Sequence, residues 1–497
     1  ILLEKLFKDI LSKKDKDKFI DIIKKESIYT MINEYAPEQR IDAIFFIDEK
    51  AKLVGAYKFW NERKKLKIKE IQISNSKQMN LTEFLNQPIE LFCGDWVASN
   101  ADGIVKYKGN QEIRVGYQPL LITKRLINID NNTEKFEIAY YDQNKWKTKY
   151  IPRTTLSNSN SITKLVDYGI DITSSNAYAT VNYLSDLYLY NKEKIPVVYS
   201  VSHLGWVDKD FKNFLPFVKG DIICDCEGET RKMIDYYSES GNKSSWIEVV
   251  RESRKKDIVK IIMSASFASV LIKMVGINGF ITHIYGDRGK GKTVLLMLAM
   301  SIWGNPELGK LTNSINNTLF ALEYKASFLQ NLPFSGDELQ NVNKYEINND
   351  TLIYMIANGS GKGRGDKDRN IASQNNWALN MITTGEDKIT KDNSHSGSKV
   401  RCIEIENDEN IITDLVNTIK ENYGFAGREF IKYIISLGKE EISERYKKIR
   451  DDFMTNNDSL DGKQINAISL LKLANELSIE CIFKEEEAID DKCLLKL

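Results

Sequence analysis

Gly286-Asp287-Arg288-Gly289-Lys290-Gly291-Lys292-Thr293 follows the apolar run Phe280-Ile281-Thr282-His283-Ile284-Tyr285 and leads into Val294-Leu295-Leu296-Met297-Leu298. A short apolar run, a glycine-rich turn and a second apolar stretch predict strand, loop and helix, the setting in which G-x-x-x-x-G-K-[ST] cradles phosphate. Glycines let backbone N–H groups close on phosphate oxygens at a helix N-terminus, Lys292 neutralises the β and γ phosphates, and the Thr293 hydroxyl can ligate Mg²⁺. The expected ligand is a nucleoside triphosphate with Mg²⁺, held along Gly286, Asp287, Arg288, Gly289, Lys290, Gly291, Lys292, Thr293 and Val294. Around this motif, helical runs alternate with short apolar strands from 256 to 405, which predicts a parallel α/β core.

Hydrolysis needs an acidic pair at the end of a second strand, and Phe328-Leu329-Gln330-Asn331-Leu332-Pro333-Phe334-Ser335-Gly336-Asp337-Glu338 offers one, although Pro333 interrupts the strand. Asp337 would hold the metal and Glu338 would polarise the attacking water, whereas an isolated Asp-Glu pair is more often two solvated charges. Leu379-Asn380-Met381-Ile382-Thr383-Thr384 reads as a buried strand ending in hydroxyls. Thr384 is the first choice to sense the γ-phosphate and Thr383 the second, against an ordinary strand end with a Thr-Gly turn. Arg401, just before the strand Cys402-Ile403-Glu404-Ile405, is either an arginine finger for a neighbouring subunit's nucleotide or one half of a structural salt bridge. Between the acidic pair and the Thr strand, Asn358 to Arg369 holds four glycines together with Lys362, Arg364, Lys367 and Arg369. Such a segment is either a mobile basic hairpin that contacts nucleic-acid phosphates or a solvated surface loop.

At 497 residues the chain is long enough for three or four domains. Seventy Lys plus Arg balance seventy Asp plus Glu, so any surface for nucleic acid must be local. The six cysteines form no C-x-x-C pair and have no His at zinc-ligand spacing, which removes a disulfide scaffold and a structural zinc and fits a reducing cytoplasm. No catalytic triad is supported around His203, His283 or His395. The start Ile1-Leu2-Leu3 carries no leader pattern and no Met, so an N-terminal piece is expected to precede it. Ile261 to Ile284, interrupted by Lys273 and His283, reads as a buried helix and a core strand, so no membrane partner is expected. Texture divides the chain into a helical unit at 1–80, a β-rich domain at 81–175, a mixed connection at 176–255, a parallel α/β core at 256–405, a helical stretch at 406–445 and a small C-terminal domain at 446–497, a candidate partial winged helix. Two stretches mix aromatics with cations, Phe59 to Lys67 and Lys145 to Tyr150, and both read as amphipathic surfaces before DNA-stacking platforms.

In order, Gly286 to Thr293, Asp337-Glu338-Leu339, Asn358-Gly359 with Gly361-Lys362 and Arg364, Thr384-Gly385-Glu386, Arg401 and Tyr423-Gly424-Phe425-Ala426-Gly427 resemble the AAA+, minichromosome-maintenance-like helicase family of mobile genetic elements, which includes the staphylococcal cassette chromosome helicases. Upstream, Tyr150-Ile151-Pro152-Arg153, Asp167-Tyr168-Gly169-Ile170 and His203-Leu204-Gly205-Trp206 extend the resemblance, so that it covers roughly 90 to 437. It implies a multidomain protein with an AAA+ ATPase core, a helical lid and a bacterial, nucleoid-associated setting. It further implies a homo-oligomeric ring, a hexamer, that binds single-stranded and forked DNA, translocates and unwinds 3′ to 5′ for replication alongside other replication proteins, with Lys362 and Arg364 in the pore. A loader or switch that remodels proteins on DNA without unwinding is the alternative, and an inactivated scaffold is disfavoured by intact Lys292, Thr293, Asp337 and Glu338.

Overall fold

A computed structural model describes residues 6–34, 37–64, 80–108, 111–341, 348–363, 374–408, 413–456, 460–484 and 487–497. The chain forms two compact units, one of Ile1–Thr123, Ile138–Thr148 and Thr154–Ile195, the other of Lys124–Glu137, Lys149–Arg153 and Pro196–Leu497.

The first unit opens with helices α1 (Lys16–Ile23), α2 (Glu26–Glu34) and α3 (Pro37–Leu53). Helical spacing of apolar residues gives these helices a shared interior of Phe7, Phe19, Ile23, Ile32, Ile47 and Trp60. Strands β1 (Asn80–Glu83), β2 (Phe92–Gly94), β3 (Trp96–Ser99), β4 (Gly103–Lys108) and β5 (Gln111–Gly116) follow in the sheet order β2-β1-β3-β4-β5. Its ladders are antiparallel except that β3 runs parallel to β1. The reason is geometric: β2 reverses on one side of β1, and a second reversal brings β3 back along the other side. Helix α4 (Ala177–Tyr190) packs on β2 and β5 through buried Tyr183, Leu184 and Leu187. The Tyr183 hydroxyl donates to the Leu120 carbonyl at 3.0 Å, so the ring is buried without an unmet polar group.

Strands β6 (Leu120–Asn128), β7 (Glu134–Asp142) and β8 (Lys145–Pro152) carry residues of both units. In the second unit, Arg125–Asn128 of β6 run parallel to β9 (Val197–Val201). Two short strands, β10 (Gly205–Trp206) and β11 (Phe214–Leu215), pair with each other, and β12 (Ile222–Cys224) lies parallel to β9. Asp225, at 0% exposure, accepts from Ser200 Oγ and Ser202 Oγ at 2.8 Å and from Lys135 Nζ at 2.8 Å. A buried carboxylate is tolerated only with such a full set of donors.

The core of the second unit begins after α5 (Glu229–Asp235) and α6 (Lys243–Ser253), with α7 (Asp257–Ser269) buried from Ile261 through Ser269. A helix apolar nearly all round must be enclosed on every side. Then come β13 (Phe280–Tyr285), α8 (Lys292–Ser301), α9 (Leu319–Leu329), β14 (Phe334–Gly336), α10 (Asn349–Asn358), β15 (Asn380–Thr384) and β16 (Cys402–Glu406). The four strands are all parallel, in the order β14-β15-β13-β16. Their near-continuous apolar sequences fit a sheet covered on both faces. Apolar residues from 328 to 332 do not belong to a strand: α9 continues to Leu329, Gln330 takes φ 58°, and the ladder starts only after Pro333, which has no N–H to give it. From Thr413 onward the described residues are helical: α11 (Thr413–Glu421), α12 (Phe425–Asn456, bent at Gly438 with φ 82°) and α13 (Gly462–Ser478). Among the described residues no helix is long and apolar enough to cross a membrane.

Candidate functional site

The chain leaves β13 towards β14 on one side and leaves β15 towards β16 on the other, so the connections diverge at the C-terminal ends of β13 and β15. In open parallel sheets ligands bind at that divergence. Glycine-rich residues 286–291 occupy it, between β13 and α8. Gly286 needs φ 136°, and a Cβ there would stand 2.7 Å from the Asn407 carbonyl oxygen, so no side chain fits. Gly289 and Gly291 also lie at positive φ, 83° and 87°. Such φ values are what glycine alone adopts freely. The first helical bond back to the loop is Leu295 N–H to Gly291 O, so the N–H groups of Lys292, Thr293 and Val294 head α8 as anion donors.

Lys292 Nζ donates to the carbonyls of Gly286 and Asp287, both at 2.7 Å, which holds a positive charge over the loop. The Thr293 hydroxyl donates to Asp337, 3.1 Å from Oδ1 and 3.2 Å from Oδ2. Asp337 is buried at 6% exposure, at the end of β14, and also accepts from Thr384 Oγ1. Thr384 Oγ1 in turn accepts the Glu338 N–H at 3.0 Å. Glu338 is exposed, in a left-handed conformation with φ 58°. The structure thus brings Thr293, Asp337, Glu338 and Thr384 together from three separate strand ends. Two hard oxygen donors, the Asp337 carboxylate and the Thr293 hydroxyl, are a suitable set for Mg²⁺, and the loop with Lys292 is suited to phosphates.

Two contributors were invisible in the sequence pattern. Asn407 follows β16, whose Glu406 stands opposite Tyr285, so the next residue on each strand meets the other. Asn407 Nδ2 donates to the Lys290 carbonyl at 2.8 Å and its N–H to the Tyr285 carbonyl at 2.7 Å, propping the loop from below. His283 is buried beneath the site, with Nε2 2.9 Å from the Asp387 carbonyl and Nδ1 2.8 Å from Thr383 Oγ1. A carbonyl only accepts, so Nε2 carries the proton and Thr383 donates to Nδ1. Thr383 is therefore engaged with His283, and Thr384 is the hydroxyl that faces Asp337.

Burial pushes the His283 pKa below its ordinary 6.5. The folded state then binds fewer protons than the unfolded one, so the stability from neutral His283 is complete above 6.5 and is lost as pH falls through the lowered folded value. Unfolding free energies from urea titrations down a pH series should fall below pH 6.5 with a slope of up to about 1.4 kcal/mol per pH unit from this residue. His283→Gln should flatten that slope, and an unchanged slope would refute the assignment.

Arg401 lies at the opposite edge of the sheet. Cys402 pairs with Ile281, so Arg401 stands at the N-terminal end of the strands, about 17 Å along β13 from the loop at 3.3 Å per residue. It cannot reach its own chain's glycine loop at 286–291. Its guanidinium lies over the Tyr354 ring at 4.9 Å and donates to the Gly397 carbonyl, while Nε is buried with no acceptor among the described residues. No carboxylate pairs with it among the described residues. At the basic segment, Gly361 N–H donates to Asn375 O at 2.8 Å, Trp377 N–H donates to Gly359 O at 2.9 Å, and Ser360 bridges Asn376 in antiparallel fashion. These contacts pair the two flanks of the basic segment, with Lys362 exposed just beyond them. Arg364, Lys367 and Arg369 lie outside the described residues, as do Lys65 to Lys67 of the first aromatic-cation stretch.

Residues 97–376 match the family described as "Domain of unknown function (DUF927)". No curated protein matches the chain. Among solved structures, "SCCmec type IV Cch - active helicase" is similar with a TM-score of 0.62 and 20% identity, covering 83% of this chain and 78% of that one. The likeness is one of fold, and it agrees with the family resemblance carried by the motifs. The C-terminal region of NrS-1, at 11% identity and TM-score 0.27, covers 75% of this chain and 89% of that one. JCV helicase, at 10% identity and TM-score 0.22, covers 47% of this chain and 73% of that one. Neither of these two overlaps closely enough to carry weight.

Proposed function

We propose, for a chain that belongs to the DUF927 family, that it is an ATP-dependent DNA helicase or translocase on an AAA+ core, acting as a homo-oligomeric ring, a hexamer, in replication of a mobile genetic element. The observation that carries this reading is the convergence of Thr293, Asp337, Glu338 and Thr384 beside the glycine loop and Lys292. Segment Asn313–Ile315 supports it by pairing with Asp337 as an added parallel edge beside β14: Asp337 N–H donates to Asn313 O at 2.8 Å and Ile315 N–H to Asp337 O at 3.2 Å. The similar Cch structure is titled an active helicase, which favours the same activity here.

In this reading the loop N–H groups and Lys292 bind the phosphates of ATP, and Thr293 and Asp337 would hold Mg²⁺, which when bound offsets charge on the phosphate oxygens. Glu338 orients and deprotonates the attacking water, and Thr384 fixes Glu338 through its N–H while contacting Asp337, so that it links nucleotide state to the catalytic carboxylate. Arg401 serves the neighbouring subunit, and Lys362 with Arg364, Lys367 and Arg369 contacts DNA phosphates in the pore. The domain boundaries near 80, 175, 255, 405 and 445, with a lid and a small C-terminal domain, complete the proposal, as do 3′ to 5′ polarity and a bacterial cytoplasmic setting.

The test is strand separation of labelled forks bearing only a 3′ or only a 5′ tail, with ATP and Mg²⁺, comparing wild type with Lys292→Ala and Lys362→Ala. Unwinding of the 3′-tailed fork that both substitutions abolish is expected. ATP hydrolysis with neither fork opened would instead favour a loader or switch acting on DNA-bound proteins.

A further inference from the structure

Helix α9 carries two large aromatic side chains four residues apart, on one face, that keep about half of their surface exposed: Phe320 is 57% exposed and Tyr324 is 51% exposed. Other residues of the same helix, Leu322, Ala326, Phe328 and Leu329, are buried, so its inward face is already supplied with apolar contacts. Between the two aromatics, Glu323 turns inward at 1% exposure and accepts the Lys362 N–H at 3.4 Å. A Cβ on Gly361 would stand 3.3 Å from the Glu323 carboxylate, so the start of the basic segment lies directly on α9. The Tyr324 hydroxyl is 3.3 Å from Thr230 Oγ1, which steadies that ring without covering it.

Two cations lie on α9 and on the segment that rests against it. Lys362 is exposed on that segment. Lys325, the next residue after Tyr324, is half-buried, and burial lowers its pKa. Among the described residues no carboxylate pairs with Lys325. A half-desolvated ammonium without a counter-ion favours an anion nearby. Aromatic faces for bases and cations for phosphates are the combination with which proteins hold single strands irrespective of sequence.

We infer that Phe320 and Tyr324 of α9 form a base-stacking platform for single-stranded DNA, with Lys325 and Lys362 beside it for the phosphates. The inference rests on the nucleic-acid reading proposed above and adds residues that no motif marks. Titration of fluorescein-labelled oligothymidylate against the full chain tests it by anisotropy. Phe320→Ala with Tyr324→Ala should weaken binding at least roughly tenfold per ring removed, while Tyr324→Phe should bind as wild type does. In Tyr324→Trp, oligothymidylate should quench the introduced indole. Unchanged affinity in the double variant, or an indole that oligothymidylate leaves bright, would overturn the platform. So would a loss of oligomer mass in sedimentation of the double variant, because the face would then belong to a second copy of the chain. Failure of the wild-type chain to bind oligothymidylate at all would instead remove the underlying DNA reading.

Discussion

Lys292→Ala should lower ATP turnover by about two to three orders of magnitude, the usual effect of deleting a preorganised charge at the reacting phosphates. Its ammonium is placed by two 2.7 Å bonds to the carbonyls of Gly286 and Asp287, which set it over the loop whose N–H groups face the same anion. Arginine should not rescue. The site offers two converging acceptors for a compact ammonium, whereas a guanidinium is a planar fork of larger span. Because Lys292 is only partly buried, Lys292→Ala should unfold in urea close to wild type, which separates lost chemistry from lost structure. A steady-state phosphate-release assay decides the matter: turnover within tenfold of wild type would mean that the loop does not process nucleotide as proposed.

The glycine loop was legible because its requirements are local. Phosphate contact needs glycine at positive φ, a lysine and a hydroxyl at fixed spacing, and Gly286, Gly289, Gly291, Lys292 and Thr293 supply all of them within eight residues. The buried Thr strand was legible for a similar reason, since Leu379, Met381 and Ile382 mark the segment as buried and every residue from Asn380 to Thr384 is enclosed. What the sequence left open depended on strand register. Thr383 and Thr384 are equivalent by pattern, and only the pairing of β13 with β15, which sets His283 beside Thr383, gives the two hydroxyls different partners. Asn407 is an ordinary polar residue by type, and it reaches Lys290 only because β16 runs parallel to β13 in that register. The strand before Asp337 proved shorter than the apolar run suggested, because Pro333 delays the ladder.

Arg401→Ala should reduce turnover by about a thousandfold, the lower end of what an arginine finger contributes, although the residue stands at the far edge of the sheet from its own glycine loop. That distance makes the prediction sharper than a simple loss, because the finger can act only across a subunit boundary. In a head-to-tail ring each interface joins one subunit's loop to the next subunit's Arg401. Equal mixing of Arg401→Ala with Lys292→Ala, two nearly inactive proteins, should therefore restore about one quarter of wild-type turnover, since random assembly leaves both parts intact at about one interface in four. Energy transfer between labelled subunits would establish that the two variants share rings. With mixing established, no recovery would assign Arg401 to its own chain, where its stacking on Tyr354 and its bond to the Gly397 carbonyl would make it a structural residue of the sheet edge. Recovery would assign the guanidinium's remaining donors, beyond the one bonded to Gly397, to a phosphate on the neighbouring subunit.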